Sequence, residues 1–153
     1  MQQRVDQQVA YLLHSRPYGD SSVIADLFSL DWGRLQVVAK GVRKLRSKLA
    51  GVLQPHQRLL VSLRGRGAMP TLTAAELVGT PTLFHGNMLI AALYVNELLV
   101  RTLPNHVPNP LLFTHYHHCL TQLDDSGEIE WNLRLLERDL LEELGYGLNL
   151  NSD

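Results

Sequence analysis

The hydrophobic period of this chain changes at Gly79-Thr80-Pro81, and that change limits its possible folds more than any other feature. Before this point, apolar segments of strand length alternate with turn residues; after it, apolar residues recur at the three- and four-residue spacing of an amphipathic helix. The change predicts two domains of different class, residues 1–80 and residues 81–153.

The first domain reads as a run of short strands. The predicted strands cover residues 8–15, 22–30, 34–39, 58–63 and 71–78. Turn signals stand between them, at residues 16–20, at Asp31-Trp32-Gly33 and at Gly65-Arg66-Gly67. Residues 40–55 interrupt the strands as a basic loop that has room for a short helix. Five short strands with tight turns are typical of a small β-barrel.

The second domain reads as three helices. Apolar spacing predicts the first from Leu83 to Leu99, and the prolines of residues 104–110 end it and begin the next. A second helix is predicted at Leu111–Leu123, a loop at residues 124–127, and a third helix at Ile129–Leu144 with Gly145 as its C-terminal cap. The fold class predicted for the whole chain is therefore α+β, a small barrel followed by helices.

Charge is divided between the two predicted domains. Residues 1–80 contain eleven Lys and Arg against five Asp and Glu, a net charge of +6, whereas residues 81–153 contain three against ten, a net charge of −7. A basic domain attracts a polyanion and an acidic one repels it. The division predicts that the two domains have different partners.

The basic charge is concentrated in one acid-free stretch. Residues 34–48 contain no Asp or Glu and carry the six cations Arg34, Lys40, Arg43, Lys44, Arg46 and Lys48. Such side chains neutralise phosphates, and counterion release drives the binding. Arg64 and Arg66, which flank Gly65, extend the basic track. The alternative is a solvated loop with no ligand.

Three aromatic residues of this half are candidate platforms for unpaired bases: Tyr18, Phe28 and Trp32. Phe28 equally suits the core, and Trp32 equally suits packing over its own turn. Because no base-reading pattern is visible, we expect charge and shape, rather than sequence, to be recognised.

The sequence offers little for catalysis or for a cofactor. His115, His118 and Cys119 share a helical face, but a zinc site needs a second ligand pair, which is missing. No phosphate-binding glycine loop with Lys and Ser or Thr is present. A single cysteine fits a reducing compartment, and no run of about 18 apolar residues or signal-peptide pattern is found. We therefore expect a cytoplasmic protein that is not an enzyme, has no membrane partner and needs no cofactor.

Several stretches resemble one known family. They are Leu13-His14-Ser15-Arg16-Pro17-Tyr18, Gly33-Arg34, Val38-Ala39-Lys40-Gly41-Val42-Arg43-Lys44, Arg46-Ser47-Lys48-Leu49-Ala50-Gly51-Val52-Leu53-Gln54-Pro55, Leu93-Tyr94-Val95-Asn96-Glu97-Leu98-Leu99 and Leu144-Gly145-Tyr146-Gly147. In these stretches the chain resembles the RecO family of bacterial recombination mediators. The stretches follow the family's order, and the resemblance covers nearly the whole of this chain.

The resemblance implies an oligonucleotide/oligosaccharide-binding (OB) barrel followed by a helical domain. It implies binding of single- and double-stranded DNA, strand annealing, and loading of the RecA recombinase onto gaps coated by single-strand-binding protein. It also implies association with the nucleoid. The implied partners are RecR, in many bacteria also RecF, and the tail of single-strand-binding protein. The six cations of residues 34–48 inherit the DNA-contact role. Family members usually continue beyond Gly147, so the helical domain is expected to be incomplete relative to the family.

The tail of single-strand-binding protein is acidic and ends in an apolar residue, so it needs a cation beside an apolar groove. Leu133-Arg134-Leu135-Leu136-Glu137 resembles the family stretch that offers one, which makes Arg134 the candidate. The alternative for Arg134 is a surface ion pair with Glu130 or with an acid next to Arg138.

Three other functions fit parts of the sequence. The first is an RNA-binding OB protein, because nothing in the basic loop selects against a 2′-hydroxyl. The second is a protein-interaction adaptor with its main surface on the helices. The third is a metal enzyme at His115, His118 and Cys119.

Overall fold

The computed structural model describes residues 4–65, 67, 69–123 and 128–150. Its elements in chain order are β1 (Arg4–Tyr18), β2 (Ser22–Ser29), β3 (Gly33–Ala39), α1 (Lys48–Val52), β4 (Arg58–Arg64), β5 (Thr71–Leu77), α2 (Gly86–Thr102), α3 (Pro110–Thr121) and α4 (Ile129–Leu150). The predicted α+β class, the five strands and the short helix in the basic loop are confirmed. The loop predicted at residues 124–127 lies outside the described residues.

The strands close into a barrel in the order β1-β2-β3-β5-β4. Neighbouring strands pair antiparallel except β3 and β5, which run parallel where Val38 lies opposite Thr71. The Val38 N–H donates to the Pro70 carbonyl at 2.9 Å and closes the barrel there. A five-stranded Greek-key barrel of this kind is the OB fold.

Alternation along the strands fills the barrel. In β3 every second residue from Gly33 to Ala39 is buried, and β4 follows the same period. The buried core includes Leu12, Leu27, Leu35, Val37, Leu59, Val61 and Leu63. Leu49, Ala50 and Val52, in and around α1, pack against this core. Helix α1 begins where the Ser47 hydroxyl accepts the Ala50 N–H at 3.3 Å.

Strand β1 is longer than predicted, because it continues through Pro17 to Tyr18 instead of turning at Arg16. Its pairing with β4 ends at Tyr11, whereas its pairing with β2 runs from Ala10 to Tyr18. After Tyr11, β1 therefore pairs with β2 but not with β4. Proline is tolerated there because the strand needs only one hydrogen-bonded neighbour. The turn itself follows at Gly19, which has a φ of 63°.

The helical region contains the three helices predicted, with different ends. Helix α2 begins at Gly86 rather than Leu83, and α3 begins where the Asn109 side chain accepts the Leu112 N–H at 3.1 Å. The buried apolar residues are Ala91, Ala92, Val95, Leu99, Leu103, Leu112, Phe113, Leu120, Leu123, Leu136 and Leu140. Among the described residues, no helix is long and apolar enough to cross a membrane.

The predicted helix cap at Gly145 is wrong, because α4 continues through it to Leu150. A glycine cap adopts a left-handed backbone, and Gly145 is absent from the glycines of the described chain that have positive φ. Glycine permits that conformation without requiring it, so the residue type alone did not end the helix.

The chain divides into two compact units. The first comprises Met1–Leu83 together with Pro104–Pro108, and the second comprises Phe84–Leu103 and Asn109–Asp153. The loop between α2 and α3 thus belongs with the barrel, where the His106 N–H donates to the Arg34 carbonyl at 2.7 Å. Gly33 allows this close approach: its φ is 72°, and a Cβ there would lie 2.2 Å from the Val107 carbonyl oxygen.

Candidate nucleic-acid interface

The cations of the predicted loop all lie in residues 40–48, and we call these residues the basic loop. The basic loop leaves the barrel at the end of β3 and leads into α1. All five of its cations have exposed side chains, namely Lys40, Arg43, Lys44, Arg46 and Lys48. Because the loop contains no acid, no carboxylate within it neutralises these charges. The loop therefore presents five cations to solvent.

The loop is anchored at its base by Arg43. The Arg43 N–H donates to the Ser21 carbonyl at 2.8 Å, and its guanidinium donates to the carbonyls of Ser22, at 3.0 Å, and Gly19. Val42 beside it is buried in the barrel core. These contacts hold the loop against the turn between β1 and β2, so its remaining cations project from a fixed base.

Arg34 is in a different environment from the loop cations. Its Nε donates to Asp26 Oδ1 at 2.9 Å and its Nη2 to Asp26 Oδ2 at 2.7 Å, while the two side chains are 13% and 6% exposed. The sequence grouped Arg34 with the loop by spacing, but the strand places it across from β2, where Asp26 neutralises its charge. Its DNA contact remains a prediction with a clear structural alternative. A lone acid within an apolar strand was the signal that sequence reasoning missed.

The other predicted contacts are spread over the barrel. Arg64 is exposed at the end of β4, and Arg66 lies outside the described residues. Tyr18 is 49% exposed, next to the turn that Arg43 holds, and Trp32 is 36% exposed in the turn between β2 and β3. Phe28 is only 1% exposed, so the interpretation of Phe28 as a buried residue is confirmed and it offers no stacking surface.

Strand β2 is buried on both of its faces. Val23, Ala25 and Leu27 fill the core, while Ile24, Asp26 and Phe28, which alternate with them, are at most 6% exposed. OB barrels commonly bind nucleic acid across strands 2 and 3 and the adjoining loops. With β2 covered and the outer residues of β3 only partly exposed, the loops are the more accessible part of that surface here.

The residues considered for a metal site make other contacts. His115 Nδ1 lies 3.0 Å from Asp139 Oδ2, and His118 is exposed. Cys119 is 4% exposed, and burial, with a smaller contribution from Asp139, raises its pKa to about 12. Across the described ranges, no three His, Cys, Asp or Glu residues are grouped so that they could hold a metal ion.

Arg134 lines a groove of about 490 Å³ between α2 and α4, together with apolar residues such as Ile90 and Leu133. Its Nη1 donates to both carboxylate oxygens of Glu137 at 2.9 Å, so its acid partner is Glu137 rather than Glu130. The Tyr94 hydroxyl donates to the same carboxylate at 2.9 Å, and this hydrogen bond raises the pKa of Tyr94. The groove thus has the expected cation and apolar wall, but it also has an acid beside the cation.

The chain is thus an OB-barrel protein that carries an exposed, acid-free basic loop and a helical unit. The family model described as Recombination protein O N terminal matches residues 1–81, and Recombination protein O C terminal matches residues 83–153. The chain therefore belongs to the RecO family, as the resemblance predicted.

Curated relatives agree with this assignment. A protein named DNA repair protein RecO from Nitrosococcus oceani is 47% identical over 147 residues, which cover 96% of this chain and 60% of the relative. Proteins of the same name from Photobacterium profundum and Haemophilus influenzae (strain Rd) are each 44% identical over 142 residues, covering 93% of this chain. The chain spans about 60% of the length of these relatives.

Proposed function

We propose that this chain is the DNA-holding part of a DNA repair and recombination mediator. It binds single- and double-stranded DNA through the basic loop, without sequence preference. The observation that carries the proposal is the anchored loop, on which five exposed cations stand without an acid among them. The names of the relatives, DNA repair protein RecO, support a role in repair.

The mechanism is electrostatic. Lys40, Lys44, Arg46 and Lys48 neutralise phosphates and release condensed counterions, while Arg43 mainly holds the loop in place. Because phosphates are alike in every sequence, these contacts position the strand and carry no base code. Screening of two backbones at one surface lets complementary strands meet, which is how the loop promotes annealing. Tyr18, exposed at the base of the loop, adds a platform for an unpaired base.

The proposal extends to the partners that the resemblance implies. In this extension the protein, with RecR and in some bacteria RecF, helps to load RecA onto gaps coated by single-strand-binding protein. The groove at Arg134 supports a tail-binding role, because it combines a cation with the apolar wall that an acidic peptide with an apolar end requires.

The basic loop is tested by the salt dependence of binding to single-stranded DNA. Four neutralised phosphates give a slope of log affinity against log salt of roughly −3, and Lys44→Gln/Arg46→Gln makes it shallower by about 1.4. The matched control is Arg101→Gln/Arg138→Gln, which removes the same charge from exposed side chains of α2 and α4. The control should bind DNA as the unchanged protein does.

Two results would contradict this proposal. Binding that is absent or unaffected by the loop variant would mean that the basic loop is only solvated, which favours a protein-interaction adaptor. Clear preference for RNA over DNA of equal length in competition would favour an RNA-binding protein.

The tail-binding role has its own test, which uses the ion pair in the groove. A short acidic peptide with an apolar C-terminal residue should bind more weakly to Arg134→Ala and more tightly to Glu137→Gln, since the second change removes the competing carboxylate. Fluorescence anisotropy of the labelled peptide measures both. Equal affinity for all three proteins would place the tail elsewhere.

A further inference from the structure

A cavity of about 180 Å³ opens in the barrel unit, apart from the basic loop. We name it the mouth cavity. Its described lining residues are Trp32, Leu35, Leu63, Arg64, Gly65, Gly67, Pro70 and His106. We infer that the mouth cavity receives one unpaired base of a bound DNA single strand. This inference rests on the proposed function and adds a second contact to it.

The size and lining of the cavity suit a single flat ring. Pockets for whole small molecules usually measure about 300–1,000 Å³, which is larger than this one. Leu35 and Leu63 are buried core residues and give the cavity an apolar floor, while Trp32 contributes an aromatic ring that is 36% exposed. Every base has a π-face that stacks on such a ring, so the contact needs no particular sequence.

The electrostatics of the cavity favour a nucleotide over a neutral aromatic ligand. Arg64 is among its lining residues, and a guanidinium suits the phosphate that accompanies a base. No Asp or Glu lines the cavity within the described part of the chain. The nearest acid in sequence to Trp32 is Asp31, and its carboxylate accepts a hydrogen bond from the Gln8 side chain at 3.1 Å.

Hydrogen bonds from backbone N–H groups hold two parts of the wall, at Trp32 and at His106. The Trp32 N–H donates to the Ser29 hydroxyl at 3.0 Å, and that hydroxyl donates to the Gly33 carbonyl at 2.9 Å, with Ser29 only 2% exposed. On the other side, the His106 N–H is bonded to the Arg34 carbonyl. A preformed site loses less conformational entropy on binding than one that must be ordered.

The position of the cavity lets one strand reach it and the basic loop together. Trp32 precedes β3 and Lys40 follows it. The length of β3, at 3.3 Å per residue, therefore separates the mouth cavity from the basic loop by roughly 25 Å. OB folds hold about 4–16 nucleotides of single strand, which is enough chain to bridge them. Paired bases of a duplex are not free to enter the cavity, so it adds affinity for single strands alone.

The test uses Trp32 as its own reporter. The chain has two tryptophans, and Trp131→Phe leaves Trp32 as the sole one. Addition of oligothymidine should quench its fluorescence, because a base stacks on the indole, whereas an abasic oligomer of equal length should not. The matched control is Trp32→Phe, in which Trp131, 63% exposed on α4, should show no base-dependent quenching.

Binding measurements complete the test. Trp32→Leu should weaken single-strand binding about 5-fold or more, the lower limit for loss of one base–aromatic stack, and leave duplex binding unchanged. Trp32→Phe should retain most of the affinity, and urea unfolding checks that both variants fold. Trp131→Leu, the same change at a tryptophan outside the cavity, should bind as the unchanged protein does.

The outcomes separate this inference from the proposed function. In one outcome, Lys44→Gln/Arg46→Gln weakens both single-strand and duplex binding, Trp32→Leu affects neither, and no base-dependent quenching is seen. This outcome would overturn the inference about the mouth cavity and leave the proposed role of the basic loop in place. Selective loss of single-strand binding in Trp32→Leu, together with the quenching, would support the cavity. Failure of the loop variant to change any binding would instead overturn the proposed function.

Discussion

The ion pair between Asp26 and Arg34 gives the sharpest test of how the barrel divides its arginines between structure and DNA. The change is Asp26→Asn, which keeps the size of the side chain and removes its charge. It leaves the Arg34 guanidinium, 13% exposed, without its carboxylate. Removal of one partner from a buried pair costs about 3–5 kcal/mol, and the remaining exposure of Arg34 favours the lower end, about 3 kcal/mol.

Urea unfolding measures this cost, and a domain with a stability of about 5–15 kcal/mol retains enough to fold. The companion variant is Asp26→Leu/Arg34→Met, which replaces both charges with apolar groups of similar size. Such replacements of whole buried pairs are often neutral or stabilising. We therefore expect the double variant to be more stable than Asp26→Asn.

The double variant also decides whether Arg34 contacts phosphate. It should bind single-stranded DNA with the same salt slope as the unchanged protein, because Arg34 is engaged with Asp26 in the structure. A slope shallower by about 0.7 would show that Arg34 neutralises a phosphate, as the sequence predicted. A cost below about 1 kcal/mol for Asp26→Asn would refute the reasoning about the buried pair.

Three further predictions concern packing and reactivity. Gly33→Ala should lower the free energy of unfolding by about 2–5 kcal/mol, because its Cβ would meet the Val107 carbonyl oxygen in addition to the strain of positive φ. The control is Gly19→Ala, which has positive φ and open space and should cost only about 1–2 kcal/mol. Equal costs in thermal or urea unfolding would contradict the clash. Tyr116→Phe should cost about 1–3 kcal/mol, since its buried hydroxyl donates to Asn96, whereas Tyr94→Phe at an exposed bond should cost less than 1 kcal/mol in the same assay. Burial raises the pKa of Cys119 to about 12, so its thiol should react with a thiol reagent at pH 8 about a thousand-fold more slowly than in the urea-unfolded chain. The reaction rate should rise with pH up to about 12. Near-equal rates in the folded and unfolded chains would refute the burial of Cys119.

The order of elements was predictable because it depends on local pattern. Three local signals predicted the right elements, and each acts over a few residues. They are the apolar segments of β3 and β4, the Asp31-Trp32-Gly33 turn and the prolines of residues 104–110. The acid-free run of residues 40–48 likewise predicted an exposed cationic loop, because a chain rarely buries so many unpaired charges.

What the sequence did not predict depends on distant contacts. The ion pair of Arg34 requires the pairing of β2 with β3. Ile24 and Phe28 on the outer face of β2 are apolar, but which part of the chain covers them depends on the whole fold. The mouth cavity joins Trp32 to Pro70 and His106, which are 38 and 74 positions further along the chain. Gly145 shows the opposite error, in which a local signal was read as decisive although the helix continued.

The covered β2 has a consequence for how a barrel of this kind can select DNA. A strand face reads bases with side chains at fixed spacing, whereas an anchored loop offers cations whose reach covers phosphates in several geometries. Under the proposed function, the charge on residues 40–48 would hold single and double strands alike, and the mouth cavity would supply the preference for unpaired bases. The net charge of −7 on residues 81–153 opposes DNA contact by the helical half, so the proposed function predicts that a bound strand contacts the barrel.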